Sequence, residues 1–193
     1  MSGTYDSFQG SMVKRQNPGI YRNMWITAGA FAPRSTNGAE ANTEEYATND
    51  INLDQFLFDA TTEEGIQAQI AMPDEWDRGI VKAKMYWDPA TGASANDGVA
   101  WGISAGALSD DDVIDTALGT EVVVTDLVLA VGDLHITDAT GETTIGGTPA
   151  LGDLTILQIV RKVSNPVDDM TEDAKLFGVM LQYKESACKV AIW

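Results

Sequence analysis

The sequence predicts an all-β protein: an eight-stranded antiparallel, jelly-roll-like β-sandwich with an extended N-terminal arm and one short helix. Three observations lead to this prediction. Short apolar or alternating runs recur along most of the chain, turn-forming residues separate them at intervals of about 8–15 residues, and a single segment has helical character. At 193 residues, the chain is long enough for one domain with its own core.

Residues 1–23 are predicted to form the arm and residues 24–193 the sandwich. The opening stretch mixes Gly, Ser, Gln and Asn with isolated large side chains and has neither a helical nor a strand period. Apolar side chains spaced along an extended segment suit separate pockets on a neighbouring subunit. The candidate partner-binding residues of the arm are Tyr5, Phe8, Met12, Lys14, Arg15, Ile20, Tyr21 and Arg22.

Eight runs have the pattern of core strands, after a short first strand at residues 24–31 and a long polar stretch. Residues 79–87 alternate apolar side chains with lysines, the period of two that a half-buried strand shows. The side chains predicted to face the core are Val81, Ala83, Met85 and Trp87 from this run, and Phe177, Val179, Leu181 and Tyr183 from a later one. The eight predicted core strands are residues 51–60, 65–72, 79–87, 98–108, 120–126, 132–137, 153–162 and 174–184.

The helix is predicted at residues 109–118. Ser109 is a good N-cap residue, three aspartates follow it where the positive end of the helix dipole favours acids, and Gly119 is a stop signal.

The charge distribution argues against nucleic acid as a partner of the sandwich. The net charge is −17, from 29 acidic and 12 basic residues, yet residues 1–34 carry four bases and only one acid. An acidic body repels nucleic acid, whereas the basic arm suits an acidic protein surface. No apolar run approaches the roughly 20 residues of a membrane span, and the first residues lack the pattern of a signal peptide. We therefore expect synthesis in the cytoplasm and no membrane partner.

Motifs that carry chemistry are scarce. There is one histidine, His135, and one cysteine, Cys188, which is too few for a multi-ligand zinc site or a disulfide within the chain. The acidic run at residues 110–112 lacks the remainder of a calcium-binding loop. Neither a P-loop nor a dinucleotide-binding pattern occurs. The sequence thus predicts no catalytic residues, no metal and no cofactor.

One loop suggests ligand binding as an alternative. Residues 72–79 place Trp76 and Arg78 within a cluster of charges. An exposed tryptophan there could stack on a sugar ring, but such a residue more often packs beneath its own loop.

Several segments together resemble a family of structural proteins from tailed bacteriophages and prophages. The opening segment, residues 25–34 and then 36–39, is similar to the family's "IPAGAM-x-PR-x-TNGA", with Thr27 where the family often has Pro. The resemblance spans about residues 24–184 and does not reach the arm. The further matching segments are residues 70–73 followed by Trp76, residues 101–102, 109–112 and 152–154.

The resemblance implies a virion component rather than an enzyme. We expect a capsid decoration, or cement, protein on the exterior of the head, made in the host cytoplasm. Its arm would bind the major capsid protein, and the chain would self-associate as a homotrimer. A receptor- or carbohydrate-binding module of a tail or fibre is the alternative.

Overall fold

Two six-stranded sheets, packed face to face, account for most of residues 19–186, the part of the chain that the computed structural model describes. One 3-10 turn, Ala28–Ala30, joins the first two strands. The strands are β1 Tyr21–Thr27, β2 Phe31–Pro33, β3 Glu40–Tyr46, β4 Ile51–Phe58, β5 Gly65–Ala71, β6 Trp76–Pro89, β7 Gly98–Leu108, β8 Val122–Leu127, β9 His135–Ile136, β10 Ile145–Gly146, β11 Leu154–Arg161 and β12 Ala174–Glu185.

The strand order is that of a jelly roll. Sheet A has the order β3-β4-β12-β6-β9, with β1 also beside β12, and sheet B the order β10-β7-β11-β5-β2, with β8 also beside β7. The quartets β4-β12-β6-β9 and β5-β11-β7-β8 are the two halves of an eight-stranded jelly roll. Among the named strands, all paired neighbours are antiparallel except β10 and β7. The predicted fold class is confirmed, and each of the eight predicted core strands has a counterpart.

Aromatic side chains from both sheets fill the centre of the sandwich. Trp101 of sheet B meets Phe58 and Trp87 of sheet A edge-to-face, with ring centroids 5.1 and 6.3 Å apart. This is the geometry that aromatic pairs prefer, because the positive edge of one ring approaches the negative face of the other. The predicted core face of β6 is confirmed, since Val81, Ala83, Met85 and Trp87 are all buried.

The prediction that Phe177 faces the core is wrong. The pairing of β12 with β6 skips a residue between Leu176 and Gly178. This bulge places Phe177 on the outer side, while Leu176 takes the core position beside Val179. A strict period of two cannot anticipate an inserted residue.

The predicted helix at residues 109–118 does not form. Ser109 and Asp112 instead close a tight turn: the Ser109 amide donates to the Asp112 carboxylate at 2.8 Å, and the Asp112 amide donates to the Ser109 carbonyl at 3.2 Å. Asp111 has a left-handed φ of 66°, which ends any helical run. Val113 and Ile114 are exposed, so no apolar face was available to stabilise a helix.

The segment that follows this turn covers the outer face of sheet B. Leu118 lies over Gly106 and Glu121 over Gly102, so closely that a Cβ on either glycine would come within 3.0 or 2.7 Å of them. Both glycines belong to β7, of which every residue but the last is buried. Sheet B is therefore covered on both faces along this strand.

A fully buried arginine joins the two sheets. Arg161, at the end of β11, is 0% exposed and forms an ion pair with the buried Asp168 at 2.9 Å. Its remaining donors reach the backbone oxygens of Phe58, Met170 and Glu172 at 2.7–3.1 Å. All five N–H groups of the guanidinium thus have acceptors, which a buried cation requires.

The sandwich begins before residue 24, where the sequence placed its start. Tyr21 and Arg22, predicted as arm residues, lie in β1 and pair with Lys184 and Tyr183 of β12. Strand β3 was also not predicted, and it forms an edge of sheet A. Within residues 19–186, no helix has the length and apolar character needed to cross a membrane.

We predict that Arg161→Met destabilises the fold by about 3–5 kcal/mol, because it leaves the Asp168 charge buried without a partner. The neighbouring Lys162→Met is the control, since Lys162 makes partly exposed ion pairs with Glu63 and Glu121 and should cost about 1 kcal/mol or less. Urea unfolding curves of the two variants measure the difference. Equal losses would show that the buried pair has no special role.

Candidate functional site

The predicted arm residues are only partly within the described structure. Ile20, Tyr21 and Arg22 are exposed where β1 enters sheet A. Arg22 forms an ion pair with Glu185 at 3.1 Å, and the Glu185 amide donates to the Ile20 carbonyl at 2.7 Å. The two ends of the described chain therefore leave the sandwich side by side. The predicted arm residues Tyr5, Phe8, Met12, Lys14 and Arg15 lie outside the described residues, as does Cys188.

The alternative ligand-binding loop is not supported at Trp76. The side chain of Trp76 is 2% exposed and belongs to the core, so it offers no surface to a ligand. Arg78 is exposed near the start of β6, where it has a left-handed φ of 62°. The burial of Trp76 agrees with the interpretation in which this tryptophan packs beneath its own loop.

One motif escaped the sequence analysis: residues 102–106 have the G-x-S-x-G pattern of a nucleophile elbow. Such a serine must lie on a sharp turn between a strand and a helix. Ser104 instead lies within β7, buried, and accepts a hydrogen bond from Gln158 at 3.4 Å. His135 is on the other sheet, where its Nε2 accepts from the Leu129 amide at 2.9 Å. The two residues do not form a catalytic pair.

Among residues 19–186, no group of three or more His, Cys, Asp or Glu side chains is placed to hold a metal ion. A surface for ligand contact is nevertheless present on the outside of sheet A, along three adjacent strands. We call it the aromatic face. It consists of Asn23 and Trp25 of β1, Met180 and Gln182 of β12, and Lys82, Lys84 and Tyr86 of β6.

Trp25 is the most prominent side chain of the aromatic face and is held in place. Its ring edge lies over Gly178, where a Cβ would come within 2.6 Å of the indole. The indole also meets the Tyr86 ring edge-to-face, with centroids 4.9 Å apart. Trp25 is nonetheless 45% exposed. A glycine on the central strand thus creates the space for a fixed but accessible indole.

Polar groups surround a shallow depression beside Trp25. The Gln182 amide donates to the Asn23 side-chain oxygen at 3.2 Å, which links β12 to β1. Lys82 and Lys84 line the same depression, whose volume is about 160 Å³. Small-molecule sites usually measure roughly 300–1,000 Å³, so this depression is too small to enclose a drug-sized molecule.

The charge of the aromatic face is opposite to that of the chain. The strand register places Gln182 of β12 between Asn23 of β1 and Lys82 of β6. In the same way, it places Met180 between Trp25 and Lys84. The seven residues of the aromatic face include two lysines and no carboxylate, on a chain whose net charge is −17. Positive potential is therefore concentrated on this face.

A second polar cluster lies farther along the outside of sheet A. Lys175 binds Glu44 at 2.8 Å and approaches the buried Asp88 at 3.8 Å. The hydrogen bond from Lys175 lowers the pKa of Glu44, whereas burial raises the pKa of Asp88. Burial also raises the pKa of Tyr46 to about 12. The cluster therefore links β3, β6 and β12 through the two ion pairs of Lys175.

No protein-family model and no curated protein matches the chain. Among solved structures, it is similar to CBM22-1-GH10 modules of an endo-1,4-β-D-xylanase from Clostridium thermocellum at 10% identity and TM-score 0.47, over 85% of this chain but 28% of that one. It is also similar to a family 11 carbohydrate-binding module from the same organism (11% identity, TM-score 0.43, 87% and 98% of the two chains). A xylan-binding CBM22-2 domain from Paenibacillus barcinonensis gives 12% identity and TM-score 0.44, over 80% and 92%. These are likenesses of fold alone.

We predict that Gly178→Ala displaces the Trp25 ring and costs about 1–3 kcal/mol, because the new methyl group would overlap the indole and the Ile26 carbonyl oxygen. Gly29→Ala is the control, since its methyl group would meet only the Asp54 carboxylate at an ordinary 3.4 Å. Thermal unfolding measures the cost, and tryptophan emission reports the displacement. An unchanged emission spectrum for Gly178→Ala would contradict the proposed placement of Trp25.

Proposed function

We propose that the chain is a non-catalytic structural component of a tailed-bacteriophage virion and that it decorates the exterior of the head shell. The observation that carries this proposal is where the residues of the family resemblance lie. Many of them occupy turns and core positions that hold the sandwich together, as expected when a shared sequence pattern encodes a scaffold.

The segment at residues 34–39 illustrates this. Arg34 donates through its guanidinium to the carbonyl oxygens of Asn37 and Glu63, at 3.3 and 3.2 Å. The backbone of Gly65 bonds to both Arg34 and Asn37. A side chain at Gly65 would overlap the Arg34 guanidinium, with a Cβ only 2.6 Å from Nε. This part of the resemblance therefore fixes the entry into β5.

The other matching segments have similar roles. Trp101 is a central core residue, and Met72 and Trp76 are buried at one end of the core. Ser109 donates to Asp153 at 2.9 Å, which ties the turn after β7 to the turn before β11. Scaffold residues without a catalytic arrangement favour a structural protein.

Attachment through the N-terminal arm is supported by the charge distribution and by the position of β1. Four of the twelve basic residues fall within residues 1–34, and β1 begins at the edge of β12 where the chain enters sheet A. Eighteen residues precede the described part, and an extended chain of that length reaches roughly 60 Å at about 3.3 Å per residue. That reach is sufficient for contact with the major capsid protein beyond the immediate footprint of the domain.

Self-association, proposed here as a homotrimer, is supported by an apolar patch beside β8 and β9. We call it the β8–β9 patch: Leu127, Leu129, Val131, Leu134, Ile136 and Val167, all of them exposed. Leu129 and Leu134 are 77% and 58% exposed and line one depression with Val167. Contiguous apolar surface of this kind marks protein contacts more often than scattered single residues do.

A receptor-binding module on a tail or fibre is the second candidate. The aromatic face favours it, because an exposed tryptophan on a rigid sheet suits contact with a ligand. Antibody labelling of virions in electron micrographs separates the two candidates: label over the whole head supports decoration, and label at the tail alone supports the second.

We predict that deletion of residues 2–18 leaves the sandwich folded but abolishes its retention on particles. The deletion ends before β1 so that sheet A stays complete. Particles that lack the protein are mixed with each variant and pelleted, and circular dichroism checks the fold. Lys14→Gln with Arg15→Gln should weaken retention less, and mainly at low salt, where charges are poorly screened. Co-pelleting of the deleted chain at the level of the full chain would place the anchor on the sandwich.

We also predict that Leu129→Asp with Leu134→Asp converts the oligomer to a monomer, because it puts two charges into the apolar contact. Ile114→Asp is the matched control, since Ile114 is 85% exposed and lies outside the patch. Sedimentation velocity at micromolar concentration measures the state of each. If the wild-type chain sediments as a monomer, the proposed trimer in free solution is wrong.

A further inference from the structure

We propose that the aromatic face binds an acidic polysaccharide. In this proposal a pyranose ring stacks on Trp25, and the carboxylate of a uronic acid pairs with Lys82 and Lys84. This is a binding function in addition to attachment to the virion, and it does not depend on the arm.

The first step is the stacking surface. The C–H bonds on one side of a pyranose ring make that side apolar and slightly positive, which complements the negative face of an indole. Trp25 offers such a ring at 45% exposure. Gly178 and Tyr86 fix its position, so little side-chain freedom remains to be lost when a ligand binds.

The second step is the supply of hydrogen bonds for hydroxyl groups. Asn23 and Gln182 share one hydrogen bond, at 3.2 Å. Each amide has two donor hydrogens and an oxygen that accepts twice, so one shared bond leaves capacity on both side chains. Both line the depression beside Trp25, together with Lys82 and Lys84. Polar side chains therefore lie next to the stacking ring. They are placed to bond the hydroxyl groups of a sugar whose apolar side stacks on Trp25.

The third step is the charge of the ligand. The aromatic face contains two lysines and no carboxylate, while Asp77 and Asp88 of β6 lie outside it, near Lys184 and Lys175. Within residues 19–186, neither Lys82 nor Lys84 has a carboxylate within 4.0 Å, whereas Lys184 approaches Asp77 at 3.8 Å. Two ammonium groups without anionic partners, on a chain of net charge −17, select an anion.

The fourth step is the choice of a polysaccharide over nucleic acid. Charge alone does not separate a nucleic-acid strand from a uronic-acid polymer, because both can carry one negative charge on every unit. A uronic-acid polymer has the same sign of charge but adds the saturated ring and the hydroxyl groups for which the face is suited. The depression, about 160 Å³, is small enough to take a single unit of a longer chain.

The experiment measures binding of the full chain to polygalacturonate, alginate and hyaluronate by isothermal titration calorimetry. Carboxyl-reduced polygalacturonate and a single-stranded oligodeoxynucleotide are the comparison ligands. We expect at least one uronic-acid polymer to bind. The carboxyl-reduced polymer should bind at least roughly tenfold more weakly than polygalacturonate, and the affinity for the acidic polymer should fall as the salt concentration is raised.

Two variants test the residues. Trp25→Ala and the double variant Lys82→Gln with Lys84→Gln should each weaken binding roughly tenfold or more. The double variant should bind the carboxyl-reduced polymer as the wild type does. Arg78→Gln is the control, because it removes an exposed cation from the same strand outside the aromatic face and should leave binding unchanged.

Fluorescence gives an independent readout. Trp76, Trp87 and Trp101 are buried, so in a Trp193→Phe background a change in emission on adding polymer reports Trp25. Thermal unfolding of Trp25→Ala shows whether lost binding reflects lost folding, and Trp25→Phe, which keeps an aromatic ring, should bind between the wild type and Trp25→Ala.

Four results would overturn the proposal: no binding to any of the three polymers, equal binding by Trp25→Ala, equal binding to the carboxyl-reduced polymer, or tighter binding of the oligonucleotide. Retention of Trp25→Ala on particles separates this proposal from the previous one. Retention should be unchanged, and its loss would show that the aromatic face contacts the shell instead.

Discussion

The buried guanidinium of Arg161 is the interaction on which the two sheets depend for their relative position. It extends from sheet B to the Phe58 carbonyl of sheet A, 103 positions away in the chain. Its partner Asp168 uses its other oxygen to accept the amide of Ala100 in β7, and Asp169 accepts that of Gly98. Removing this charge pair from water costs free energy of folding. Because every N–H donor of the guanidinium has an acceptor, the pair specifies one arrangement of strands and turns.

The sandwich is asymmetric because of the way in which its outer faces are covered. Two glycines of β7 let Leu118 and Glu121 lie directly on sheet B. Gly178 of β12 instead receives the ring of Trp25 from the neighbouring strand, and no segment crosses above it within the described residues. Glycines on central strands therefore allow a chain segment to cover the outer face of sheet B, whereas on sheet A a glycine makes room for an exposed aromatic ring. The proposed attachment through the arm and the proposed polysaccharide binding both use sheet A or its edges.

The sequence was informative where burial imposes an alternation and uninformative where contacts are distant. The core face of β6 follows from the alternation of apolar and polar residues. The polar strand β3 has no such alternation, because it lies at an edge of the sheet and most of its side chains are exposed to solvent. Cap signals suggested a helix after Ser109, yet the exposed Val113 shows that no apolar partner exists for one. The sequence alone does not distinguish the environments of Trp76 and Trp25. Only the fold shows that the first is in the core and the second over Gly178, and the partners of Arg161 are likewise hidden from local pattern.

The most direct measurement is a cryo-electron microscopy reconstruction of the virion at a resolution that shows side chains. The account predicts copies of this sandwich on the exterior of the head, with the segment before Tyr21 in contact with the major capsid protein and Trp25 facing solvent. Copies found solely at the tail, or a shell contact made through the outer face of sheet A, would contradict it.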